Sequence, residues 1–66
     1  MNVQINGECR QVADDCRVSE LLQELGLTRQ RLAVEVNRQL VPRSQFDSTK
    51  LTAGDKIEIV TLVGGG

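Results

Sequence analysis

Histidine, tryptophan and tyrosine are absent from this chain of 66 residues, and phenylalanine, proline and methionine occur once each. Without histidine the commonest general base is missing. Without tryptophan or tyrosine there is little to stack on a base or a sugar. Two cysteines, Cys9 and Cys16, are too few for a disulfide framework or a zinc site. They read as two separate reduced thiols, and no metal site is expected. Charge is nearly balanced, eight Lys and Arg against nine Asp and Glu. The basic residues are scattered from Arg10 to Lys56, which leaves no electrostatic footprint for nucleic acid. No apolar stretch is long enough for a membrane span, and no charged-then-apolar leader is visible. A cytosolic chain is expected, with no nucleic-acid or membrane partner. A chain of this length makes one domain, which buries only ~60% of the surface its unfolded form exposes. A large enclosed active site does not fit, and a self-contained enzyme is not expected.

What the chain does have is three consecutive glycines, Gly64, Gly65 and Gly66, directly after the apolar run Ile57 to Val63. At ~7% average usage, three glycines at a given place arise by chance roughly 3 times in 10,000. A tail without side chains offers one chemical asset, its terminal carboxylate. The expected division is a globular domain over 1–63 and a flexible reactive tail over 64–66. A loose end or a cloning scar is the bland alternative. Its position straight after a strand, without serines, argues against a scar.

The rest of the sequence divides into short elements. Met1 to Asn6 alternates apolar and polar residues through Val3 and Ile5, and Asn6-Gly7 is a hairpin signal. Glu8 to Ala13 reads as the returning strand, with Val12 inward. Arg10 falls on the face of Val3 and Ile5, near an edge with its head in water. Val18, Leu21, Leu22 and Leu25 form an i, i+3, i+4, i+7 stripe, which predicts an amphipathic helix with a core-facing side. Asp15 or Cys16 would cap it, the aspartate being the better capping residue. Gly26 suits the left-handed position after the helix, with Leu27 folding back. Thr28 to Leu32 is a polar connection. Ala33 to Val36 and Gln39 to Val41 read as strands about an Asn37-Arg38 turn, ended by Pro42. Arg43 to Thr49 reads as a loop or one helical turn, anchored by Phe46. Gly54-Asp55 launches a final strand, Lys56 to Leu62. The order ββ, α, ββ, β puts one main helix on one face of a mixed sheet, an α+β fold of β-grasp type.

The chain resembles, end to end, the small ubiquitin-like sulfur carriers of the ThiS type. The resemblance is carried by Asn6 at the first hairpin and by Val18-Ser19-Glu20-Leu21-Leu22 at the helix. Val36-Asn37-Arg38-Gln39-Leu40-Val41-Pro42-Arg43 and Leu51-Thr52-Ala53-Gly54-Asp55-Lys56-Ile57-Glu58-Ile59 carry it further, and Gly65-Gly66 closes it. Arg17 departs from it, since the family often has a capping threonine there. The resemblance implies a carrier in thiamine biosynthesis, not a catalyst, with no cofactor bound by the chain itself. A ThiF-type, E1-like enzyme would use ATP and magnesium to adenylate the Gly66 carboxylate. A sulfur donor would then displace AMP and leave a thiocarboxylate. A ThiG-type thiazole synthase would accept the sulfur. Gly64, Gly65 and Gly66 would enter the partners' active sites.

Period two along the last strand places Ile57 and Ile59 on the helix side. Lys56, Glu58, Val60 and Leu62 then lie on the other face. Val60 and Leu62 are candidates for docking the adenylating enzyme, the alternative being cover for a core edge. Arg38 and Arg43 read as solvated charge. A free tail is most useful on a monomer. Three rival readings share the fold: the small subunit of molybdopterin synthase, a ubiquitin-like protein modifier, and a noncovalent interaction domain.

Overall fold

Both hairpins form where two consecutive residues accept positive φ. The computed structural model describes residues 1–28 and 31–62. Strand β1 (Asn2–Ile5) and strand β2 (Glu8–Gln11) are joined at Asn6 (φ 50) and Gly7 (φ 85). Strand β3 (Leu32–Val36) and strand β4 (Gln39–Val41) are joined at Asn37 (φ 52) and Arg38 (φ 69). Two central residues of positive φ give the turn twist that suits a two-residue hairpin. Strand β5 (Lys56–Thr61) follows a second connection that includes a 3₁₀ turn (Arg43–Gln45).

The sheet order is β2-β1-β5-β3-β4. Strand β5 runs parallel to β1 and antiparallel to β3, so the sheet is mixed and its last strand is central. The parallel pair needs a crossover, and the helix α1 (Val18–Glu24) supplies it. This is the β-grasp arrangement expected from the order of elements. Strands β1, β2, β3 and β5 differ from their sequence-expected bounds by a residue or two.

Helix α1 buries Val18, Leu21 and Leu22 against the inner face of the sheet, where Val3, Val34, Ile57 and Ile59 are also buried. Each such apolar side chain stabilises the fold by about 1.5–3 kcal/mol when taken fully out of water. Val12 is buried as expected. Arg10 pairs with Val3 across the first hairpin and is exposed, which places it on the inner face at the sheet edge. Gly26 (φ 72) ends the helix. The Leu27 N–H donates to the Leu22 carbonyl at 2.8 Å and the Gly26 N–H to that of Gln23 at 3.1 Å. These two bonds are a Schellman motif.

The helix start differs from expectation. Arg17, not Asp15 or Cys16, is the capping residue. An arginine side chain has no acceptor, so the cap is built from other parts. The Glu20 carboxylate accepts from the Arg17 N–H at 2.9 Å. The Val18 and Ser19 N–H groups donate to the Thr49 and Phe46 carbonyls, each at 3.0 Å. The first turn is thus satisfied by the segment after the 3₁₀ turn. Asp15 sits before the cap at φ 63, a conformation that aspartate tolerates better than most residues. Cys16 is buried as a small apolar side chain.

Candidate functional site

Alternation along β5 sorts its side chains cleanly. Ile57 and Ile59 are buried, at 1% and 8% exposure, whereas Val60 is 57% exposed. Leu62 continues the parity of Val60 and is also 57% exposed. Both lie where the sequence places them, on the face away from the helix. More than half of each side chain is open to solvent.

The outer face holds more than these two residues. Across β5, β3 and β4, Glu58 pairs with Glu35, and Glu35 with Leu40. In the next row Val60 pairs with half-buried Ala33. Leu40 is 65% exposed, the third large exposed apolar side chain among the described residues. Sequence reasoning missed it, although the alternation Gln39-Leu40-Val41 held the signal. The outer face therefore combines exposed apolar groups with two directly opposed carboxylates.

Two asparagines hold β5 from its two sides. The Asn6 carboxamide accepts from the Ile59 N–H at 2.8 Å and donates to the Ile59 carbonyl at 3.1 Å. The Asn37 carboxamide accepts from the Lys56 N–H at 3.0 Å and donates to Asp55 Oδ1 at 2.9 Å. Asn6 and Asn37 each occupy the first position of a hairpin turn, so one residue type serves both the backbone and the clamp. Near the far end of β5, Leu32 pairs with Thr61 and the Leu62 N–H donates to the Arg31 carbonyl at 2.7 Å.

Gly64, Gly65 and Gly66, and the expected domain boundary at residue 63, lie outside the described residues. So does part of the 28–32 connection. Arg38 and Arg43 are exposed, as expected. Cys9 is an exposed free thiol on β2, two strands away from β5. Cys16 is buried and free; burial, and secondarily Glu20 and Glu24, push its thiol above the ordinary value of 9.0. Among the described residues, no three His, Cys, Asp or Glu side chains converge on a metal-sized site. No helix among them is long and apolar enough to cross a membrane. A cleft of about 200 Å³ lies on the helix side, between α1 and the 3₁₀ turn, lined by Leu22, Leu27, Leu32 and Phe46 among others.

One helix on a five-stranded mixed sheet whose last strand is central defines a ubiquitin-like β-grasp protein. The particular family follows from comparison: the ThiS family model matches residues 3–66, and this chain belongs to that family. The sulfur carrier protein ThiS of Escherichia coli K12 is 32% identical over 66 residues, covering all of both chains. The crystal structure of the thiamine biosynthesis protein ThiS from Geobacter metallireducens superposes with a TM-score of 0.85 at 35% identity, again over all of both chains. A thiazole synthase of Paramagnetospirillum magneticum is 42% identical over 66 residues; the present chain spans 20% of its length.

Proposed function

We propose that this chain is a sulfur carrier whose working group is the Gly66 carboxylate. A partner adenylating enzyme, using ATP and magnesium, joins that carboxylate to the α-phosphate and releases pyrophosphate. A sulfur donor displaces AMP and leaves a thiocarboxylate, which delivers sulfur to a thiazole synthase in thiamine biosynthesis. The observation that carries this reading is family membership that runs through the last glycine. The match to part of a longer thiazole synthase supports the choice of acceptor, because there a segment like this chain shares one polypeptide with that protein.

The chemistry explains the composition. A carboxylate is a poor electrophile, and a mixed anhydride supplies AMP as a leaving group. A thiocarboxylate is more acidic than a thiol, and it is the anionic form of sulfur that reacts. The reacting carbon must enter a channel that excludes water, which would hydrolyse the adenylate. A Cβ on Gly65 or Gly66 would widen the tail. Glycine also reaches backbone angles closed to other residues, so one tail can fit two enzymes. Ordering such a tail costs entropy, and docking through Val60 and Leu62 offsets it. The chain itself needs no general base, which fits a sequence without histidine.

The test is intact-mass analysis after incubation with ATP, magnesium, a cognate adenylating enzyme and a sulfur source. The expected result is a mass gain of sulfur for oxygen, localised to Gly66. It should vanish on deletion of Gly66 and on replacement of Gly65 with a bulky residue, with unchanged melting of the domain. Equal loading in those variants would sink the assignment of the tail. An amide to a lysine in place of a thiocarboxylate would assign a protein modifier instead.

A further inference from the structure

Resting on that reading, we infer that Asn6 is a positioning residue for carrier docking, acting through β5. Strand β1 pairs with β5 only at Gln4 opposite Lys56 and Ile5 opposite Ile57. The Asn6 N–H adds one bond to the Ile57 carbonyl at 2.9 Å, and the chain then turns away into β2. The next peptide groups on that edge of β5 belong to Ile59. Its N–H and C=O meet a side chain instead of a strand, the Asn6 carboxamide at 2.8 and 3.1 Å. A carboxamide carries the same donor and acceptor as a peptide unit, so it extends the ladder by one step. Both bonds are partly buried, where water competes less.

Asparagine suits this position for two reasons at once. Its backbone accepts φ 50, and its amide supplies a donor and an acceptor. Aspartate could accept from Ile59 but not donate to it, and glycine could do neither. The consequence falls on the residues immediately after Ile59, namely Val60 and Leu62, which are already exposed for docking. With Asn6 holding Ile59 on one edge and β3 pairing along the other, β5 is ordered up to the point where this segment begins, before a partner arrives. Each side chain ordered in advance is one fewer to immobilise on binding, so the clamp lowers the cost of association.

The experiment uses the full chain in steady-state adenylation, with carrier concentration varied, and amide hydrogen exchange on the same samples. Asn6→Gly keeps a turn-competent residue and deletes both bonds. The expected result is a KM for the carrier raised about tenfold with kcat held within about twofold, because ordering is lost before docking and regained once docked. Exchange should accelerate at Ile59 to Leu62 and not at Val34. Asn6→Asp, which keeps the acceptor, should fall between Asn6→Gly and the parent chain. Asn37→Gly is the control. It removes two carboxamide bonds at the other end of β5, one to the Lys56 N–H and one to the Asp55 carboxylate, and should leave KM within about twofold of the parent. An unchanged KM in Asn6→Gly, or an equal rise in Asn37→Gly, overturns the inference; so does unaltered exchange at Ile59 to Leu62. A parent chain that a competent enzyme never adenylates overturns the carrier reading itself, and is told apart because it fails before any substitution is made.

Discussion

Replacing Val60 with aspartate separates docking from folding. Val60 is 57% exposed, so less than half of its surface leaves water on folding. Full burial of a valine stabilises by about 1.5–3 kcal/mol, which puts the lost folding contribution near 1 kcal/mol. Glu58 lies two residues away on the same face, and repulsion between the carboxylates adds some tenths of a kcal/mol. A domain of this size holds about 3–10 kcal/mol in all, so the variant stays folded. Docking suffers more. The half of the side chain still in water would be buried by the partner, and a carboxylate would have to be desolvated there instead. Together these amount to about 2–3 kcal/mol, a complex weaker by roughly 30- to 150-fold. Titration calorimetry against the adenylating enzyme reads the affinity, and urea melts read the stability. Ile59→Asp is the contrast, one residue earlier but 8% exposed, and it should unfold the domain. Undiminished affinity in Val60→Asp would refute the docking face; a loss of more than about 3 kcal/mol in stability would refute the assignment of Val60 to the surface.

Leu21, fully buried on α1, should lose about 2–5 kcal/mol on replacement by alanine, read as a lower urea midpoint at an unchanged slope. The raised Cys16 thiol makes stability pH-dependent in the alkaline range. The unfolded chain gives up this proton first, near 9.0, so stability from this site is intact below that pH and is lost as pH climbs toward the higher folded value. Melts of parent and Cys16→Ala from neutral to alkaline pH should show the steeper decline in the parent. A disulfide reagent should label exposed Cys9 quickly and Cys16 only as the fold opens. Glu35→Lys turns the like-charge pair with Glu58 into an opposite-charge pair and should raise stability by about 0.2–1 kcal/mol, near the lower end at so exposed a site. That gain should shrink in 1 M salt.

Most of the architecture was legible because it is set by local rules. The stripe Val18, Leu21, Leu22 needs only a period of 3.6, and Asn6-Gly7 and Asn37-Arg38 need only residues that accept positive φ. The face assignment of β5 came from alternation alone, and burial of Ile57 and Ile59 against exposure of Val60 and Leu62 agrees with it. What escaped were interactions closed over long distances in sequence. The helix start depends on the Thr49 and Phe46 carbonyls, some thirty residues downstream, which no local capping rule anticipates. The carboxamides of Asn6 and Asn37 were legible as turn residues but not as clamps, since their partners on β5 are met only once the sheet is assembled. Leu40 reads in the sequence as one more strand residue, because exposure depends on which face of an edge strand is left uncovered.

The central place of β5 bears on how the chain is made. Ribosomes deliver β1, β2, α1, β3 and β4 first, and these amount to two hairpins and a helix with no strand between the hairpins. Ile57 and Ile59, which fill the middle of the core, are among the last of the described residues to be synthesised. A nascent or prematurely ended chain therefore cannot close its core and stays open to proteases.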